Sequence, residues 1–257
     1  MCRHVAYLGP PIPLAELLFT PPHSLSRQSW APLDMRGGGT INADGFGIGW
    51  FEDPKSEEPI RYRRESPLWS DAGLPALAAA ARSGAILAAV RSATVGMPVT
   101  ESAAAPFTAG RWLFSHNGVI AGWPDSVAGV ARGLPVRDLL TLEAPTDSAL
   151  LWTLVRAHLR AGDPPATALS AVVARVSAAA PGSRLNLLLT DGETIAATAC
   201  GHSLSYLARD TSTVDASVLV ASEPLFGHHG WIPVPDRALL VANPASATIT
   251  AMEGVAP

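Results

Sequence analysis

Apolar and polar positions alternate with different periods along the chain. In Ile41–Phe51, glycine alternates with Phe46, Ile48 and Trp50. A period of two predicts a strand, and the alternating glycines imply that something packs closely on one face. Before it, Arg3–Leu8 reads as a short strand ending at Gly9-Pro10-Pro11, and Pro13–Phe19 as a short helix closed by Pro21-Pro22. After it come an acidic, proline-bearing turn (52–59), a strand at Ile60–Arg64, an alanine-rich helix at Ala72–Arg82 and a strand at Ala85–Val90. Arg111–Ser115 is a further apolar run, ending in His116-Asn117-Gly118.

The period then changes. Thr146–Arg160 carries leucines and Trp152 at helical spacing behind a Thr146-Asp147 cap, and Gly162-Asp163-Pro164 ends it. Pro165–Ala179 reads as a second helix. Beyond Pro181-Gly182 the texture is β, with short runs at Leu185–Thr190, Thr194–Cys200, Ser217–Ala221, Ala238–Ala242 and Thr248–Met252. Asp191-Gly192 between the first two is a hairpin signal. No repeat and no domain-separating linker interrupts this order. It predicts an α+β layered structure, a single domain spanning residues 2–257 after loss of Met1.

Composition narrows the class. Of 257 residues, 48% are hydrophobic and 16% charged, enough for a large core and too few charges for a disordered chain. A net charge of −4 gives no basic face for nucleic acid or an anionic membrane. No apolar run approaches the ~18 residues of a membrane span. Arg3, His4 and Pro10, Pro11 and Pro13 break up any signal peptide, so the expected location is the cytosol. Cys2 and Cys200 are too few for a disulfide framework or a thiolate zinc site.

Cys2 directly follows the initiator methionine. Once Met1 is removed, this residue carries both a thiol and an α-amine, groups that titrate near ~8.5 and ~7.7–8.0. The amine can take the thiol's proton and later protonate a leaving group, so one residue supplies nucleophile and base. Other residues admit two readings each. Asn117-Gly118 reads either as a tight turn or as an oxyanion hole made of an amide and a backbone N–H. Arg91, after an apolar strand, is either a surface arginine or a fork for an α-carboxylate. Asp147 is either a helix cap or an acceptor for a substrate ammonium. His228-His229 lacks a third metal ligand at a diagnostic spacing. Gly45–Gly49 lacks the lysine or βαβ context of a phosphate loop. Cys200 reads as a buried, inert thiol.

In order, Cys2-Arg3, Asn42-Ala43-Asp44-Gly45-Phe46-Gly47-Ile48-Gly49-Trp50, Arg91-Ser92-Ala93-Thr94-Val95-Gly96, His116-Asn117-Gly118 and Thr146-Asp147-Ser148 resemble the class II, N-terminal nucleophile glutamine amidotransferases. The resemblance implies a four-layer αββα sandwich with two antiparallel sheets, of the Ntn-hydrolase type. It implies Cys2 as nucleophile, its α-amine as base, and Asn117 and Gly118 as oxyanion hole. It also implies Arg91, Thr94, His116 and Asp147 as glutamyl-binding residues, with no metal or organic cofactor. No synthase domain that would receive ammonia follows, which favours hydrolysis. Met1-Cys2-Arg3-His4 with Leu8-Gly9, Ser24-Leu25 with Gln28-Ser29, and Ser222-Glu223-Pro224-Leu225 resemble the γ-glutamyl amidohydrolases of ergothioneine biosynthesis. The implied substrate is then the γ-glutamyl amide of hercynylcysteine sulfoxide, whose trimethylammonium suits aromatic faces such as Trp30 and Trp231. A glutaminase subunit feeding a separate synthase, or a silent binding protein of this fold, stays open as an alternative. So does a homo-oligomer.

Overall fold

A computed structural model describes residues 2–36, 41–53, 56–209, 212–227 and 229–254. The strands are β1 (Arg3–Pro13), β2 (Phe46–Trp50), β3 (Ile60–Arg64), β4 (Arg82–Val90), β5 (Phe107–Ala109), β6 (Trp112–Val119), β7 (Arg184–Thr190), β8 (Ile195–Ala199), β9 (Ser205–Arg209), β10 (Ser217–Ala221), β11 (Ile232–Pro233), β12 (Ala238–Asn243) and β13 (Ser246–Ala251). The helices are α1 (Ala15–Leu18), α2 (Leu25–Gln28), α3 (Leu74–Ala80), α4 (Ala128–Ala131), α5 (Val136–Leu140), α6 (Asp147–Arg160) and α7 (Pro165–Ala179). Among the described residues, one sheet runs β11-β9-β10-β1-β4-β2-β3 and the other β13-β12-β8-β7-β6-β5, with antiparallel neighbours.

Three apolar cores give four layers. Val5 and Tyr7 of β1 pack outward with Leu17, Leu18 and Leu74 of α1 and α3. Ala6 and Leu8, one residue out of phase, pack inward with Leu113, Leu188 and Ala197 of the second sheet. Leu185, Leu187 and Leu189 of β7 face Leu151, Val155 and Val173 of α6 and α7. The order is helices, sheet, sheet, helices, the sandwich that the family resemblance implies. The glycines of β2 serve this stacking: a Cβ on Gly47 would overlap the Ala105 carbonyl, and one on Gly49 the Leu113 side chain. No helix among the described residues is long and apolar enough to cross a membrane.

Two local expectations change. β1 does not stop at Gly9; it continues to Pro13 after a register shift between Leu8 and Ile12. The prolines fall where β10 has already left β1, so they remove no bond from a central ladder. Asn117-Gly118 is no turn. Both residues lie inside β6, opposite Asn186 and Leu185 of β7.

Candidate active site

The antiparallel pairing of β1 with β4 sets Arg3 opposite Val90, so Cys2 comes to lie beside the segment that begins at Arg91. The half-buried Cys2 thiol donates to the Ser92 carbonyl at 3.8 Å. Strand alternation turns Cys2 toward the second sheet with His4 and Ala6. There it lines a small pocket with Ser115, His116 and Ser148. His4 Nδ1 meets the Ser115 hydroxyl across the sheets at 3.2 Å. Burial, helped by His116 and Arg3, pulls the pKa of His4 down to about 3, so this ring is neutral.

The His116–Gly118 segment of β6 faces the thiol's strand. His116 is held at both ring nitrogens: Nε2 donates to the Arg184 carbonyl at 3.0 Å, and Nδ1 meets the Ser148 hydroxyl at 3.0 Å. It therefore ties β6 to β7 and to the start of α6. Asn117 is fully buried and its amide meets Ser222 Oγ at 3.3 Å. Ser222 Oγ already accepts from the His4 N–H at 3.0 Å, so its own proton needs an acceptor. As placed, the Asn117 nitrogen donates to Ser222 and the Asn117 oxygen is buried without a partner among the described residues; turning the amide over exchanges the two ends, gives the Ser222 proton its acceptor and frees the NH2 group. Opposite Gly118, Leu185 sends its N–H to the Cys200 carbonyl at 2.8 Å, away from β6. By the alternation of an antiparallel ladder, Gly118 N–H also points away from β7, past the end of β5, which reaches only Trp112–Phe114. Gly118 admits no side chain, because a Cβ would overlap the Arg184 carbonyl.

Two charged groups bracket this centre without counter-ions. The Arg91 guanidinium is 8% exposed; its Nη1 donates to the carbonyls of Pro98 at 2.9 Å and Asp44 at 3.4 Å. No carboxylate among the described residues pairs with it. Asp147 is 4% exposed and opens α6 behind the Thr146 cap; its oxygens accept from Ser148 N at 2.7 Å and Ile120 N at 3.1 Å. No cation among the described residues pairs with it. Thr94 is exposed and lines a cleft of about 450 Å³ together with Val119–Pro124.

A further group was beyond reach of the sequence as chemistry. Glu223 is 3% exposed and accepts four hydrogen bonds: from Arg3 Nε at 2.9 Å, Asp34 N at 3.2 Å, Leu33 N at 2.8 Å and His23 Nε2 at 2.6 Å. Arg3 in turn donates from Nη1 to the Cys2 carbonyl at 3.0 Å and from Nη2 to the Asp34 carbonyl at 2.6 Å. Glu223 thus fixes the strand start that carries the thiol. Burial pushes its pKa up, but His23, the Leu33 N–H, Arg3 and the Asp34 N–H outweigh this and hold it below the ordinary value. The Ser222-Glu223 pair in the sequence was the available signal.

Of the aromatic candidates, Trp30 is 45% exposed, with the Arg27 guanidinium over its ring at 3.9 Å. That face is taken. Trp231 instead lines a cavity of about 650 Å³ beside Ser222 and Glu223. Cys200 is buried and its pKa is raised by burial and by Asp236. His228 lies outside the described residues. Among the described residues no cluster of three His, Cys, Asp or Glu is placed to hold a metal ion.

Similarity to known proteins agrees with this geometry. The family described as class-II glutamine amidotransferases matches residues 17–218. The γ-glutamyl-hercynylcysteine sulfoxide hydrolase of Mycolicibacterium smegmatis is 41% identical over 250 residues, covering 97% of this chain and 99% of that protein. A class-II glutamine aminotransferase domain protein from Silicibacter pomeroyi superposes with a TM-score of 0.68 at 27% identity, each chain fully covered. The glutamine PRPP amidotransferase of B. subtilis shares the fold at a TM-score of 0.62 and 12% identity, over 98% of this chain and 49% of that one. The chain belongs to the class-II glutamine amidotransferase family and has its Ntn-hydrolase sandwich.

Proposed function

We propose that the chain hydrolyses a γ-glutamyl amide, that of hercynylcysteine sulfoxide, to glutamate and the free amine. The observation that carries the reading is the pair of buried, opposite charges without counter-ions among the described residues, Arg91 and Asp147, at the end of the sandwich that holds the Cys2 thiol. A glutamyl α-carboxylate and α-ammonium supply the missing partners: a fork for Arg91, an ammonium for Asp147. The substrate's amine half follows from the M. smegmatis relative's name at 41% identity over 97% of this chain.

In this reading the catalytic unit spans residues 2–257 once Met1 is removed, and it acts in the cytosol. The Cys2 α-amine takes the thiol proton, and the thiolate attacks the γ-carbonyl carbon. The Asn117 NH2 and the Gly118 N–H receive the developing oxyanion. The intermediate collapses by breaking the C–N bond, the amine leaving with the proton held on the α-ammonium. Water then attacks the γ-glutamyl thioester, gives a proton to the α-amine and restores the thiol. Thr94 contributes at the rim of the glutamyl cleft, and His116 acts by holding β6, β7 and α6 in register around it.

Cys2→Ala tests the assignment. Turnover of the γ-glutamyl amide should vanish while the substrate still binds. Residual hydrolysis above a few parts per thousand sinks the nucleophile, as does an intact mass that retains Met1 in active protein. Brisk turnover of glutamine, with none of the larger amide, favours a glutaminase instead.

A further inference from the structure

The apolar layer between the two sheets turns polar at the end that holds the thiol. Strand alternation sends Val218 and Val220 of β10 into that layer, and Leu219 and Ala221 to the outer helices. Continued one step past β10, the same period puts Ser222 between the sheets and Glu223 on the outer side. His4 of β1 and Ser115 and Asn117 of β6 also face the gap, in phase with Ala6 and Leu113. Two hydrogen bonds cross it there: His4 Nδ1 with Ser115 Oγ at 3.2 Å, and Ser222 Oγ with the Asn117 amide at 3.3 Å.

Ser222 is the fixed end of the second bridge. Its N–H donates to the His4 carbonyl at 3.0 Å, and its Oγ accepts from the His4 N–H at 3.0 Å. Both Ser222 and Asn117 are fully buried. With one lone pair of Oγ taken by His4, the Ser222 proton has the Asn117 oxygen as its acceptor among the described residues. Asn117 has no other side-chain hydrogen bond there; the far end of its amide is buried without a partner. The direction of the Ser222 O–H bond therefore decides which end of that amide is left free.

We infer that Ser222 is the positioning residue of the oxyanion hole: by donating to Asn117 Oδ1, its hydroxyl holds the Asn117 NH2 ready for the γ-carbonyl oxygen. The inference rests on the γ-glutamyl amide reading above and deepens it. Ser222 acts through Asn117 and not on the substrate. It fixes the donor before charge develops, so the amide need not turn during the reaction. Glu223, on the opposite face, holds Arg3 and through it the Cys2 carbonyl. Two successive residues at one strand end thus set the oxyanion donor and the nucleophile.

Ser222→Ala removes the orienting proton and keeps the Asn117 amide. For both the γ-glutamyl amide of hercynylcysteine sulfoxide and glutamine, kcat should fall about tenfold, the effect of one hydrogen bond. KM should stay within about twofold, because Arg91 and Asp147 are untouched. The rate at which iodoacetamide alkylates Cys2 should not change. Ser222→Thr keeps the hydroxyl and should hold kcat within about threefold of the parent. Ser222→Cys, a weaker donor of similar volume, covers an alanine variant that fails to fold. In an Asn117→Ala background the same Ser222 substitution should cost less than about twofold, because the group it orients is gone. An unchanged kcat in Ser222→Ala, an equal loss in Ser222→Thr, or a tenfold loss that persists without Asn117 overturns the positioning role and leaves the hydrolase reading intact. A parent that cleaves glutamine and not the larger amide overturns that reading, while the same cycle on glutamine still decides the role of Ser222. A parent that cleaves neither overturns both.

Discussion

Replacing Glu223 with glutamine changes one oxygen for one NH2 group, yet four donors converge on that carboxylate: Arg3 Nε, Asp34 N, Leu33 N and His23 Nε2. A glutamine amide has one acceptor and one donor end, so one pair of these donors must face another donor. Arg3, 1% exposed, also loses its only carboxylate among the described residues. Removing one partner of a buried ion pair costs about 3–5 kcal/mol, most of it the penalty of the stranded charge. For a chain of this size each kcal/mol moves Tm by roughly 2–4 °C, so Glu223→Gln should lower Tm by roughly 6–20 °C. Thermal unfolding followed by circular dichroism, with urea titration at 25 °C, measures it. The pH dependence adds a sign. The Glu223 carboxyl is held below its ordinary value of 4.5, so its stabilisation is present above that pH and is lost as pH falls toward the folded-state value. The gap between parent and variant should be flat near neutral pH and narrow below 4.5. A loss under about 1 kcal/mol, or a gap that widens in acid, refutes the buried-hub account.

Burial holds both His4 and His202 at a pKa of about 3, with His116 and Arg3 contributing at the first and Arg184 and Arg3 at the second. Below pH 6.5 the unfolded chain protonates both rings and the folded chain does not, so stability falls as pH falls; from pH 7 to 5.5 urea unfolding should show a loss of roughly 1–3 kcal/mol, and a flat profile contradicts it. Asn117→Ala should lower kcat by about 10²–10³, the loss typical of an oxyanion donor, and an effect confined to KM removes that role. Arg91→Lys keeps the charge but loses the planar fork; KM for the γ-glutamyl amide should rise about tenfold, and an unchanged KM means that Arg91 does not touch the glutamyl carboxylate.

Neighbouring residues alone set much of the architecture. The helix at Pro165–Ala179 and the strands at Ile60–Arg64 and Ser217–Ala221 fall where the pattern of apolar residues places them, because that pattern is complete within each segment. The candidate site residues also stand in the sequence as short local motifs: Cys2-Arg3, Arg91, His116-Asn117-Gly118 and Thr146-Asp147. Tertiary structure decided the rest. Asn117-Gly118 has the composition of a turn and becomes strand because β7 pairs with it. β1 runs past its prolines because no neighbour requires their missing N–H groups on that side. Trp30 and Trp231 look alike in the sequence; one ring is capped by Arg27 on the surface, and the other lines a cavity. Glu223 meets Arg3 across 220 positions, and Ser222 meets Asn117 across 105. Periodicity reports which face of an element is apolar. It says nothing about which distant polar groups meet once those faces are buried, and those meetings place the thiol beside Arg91 and Asn117.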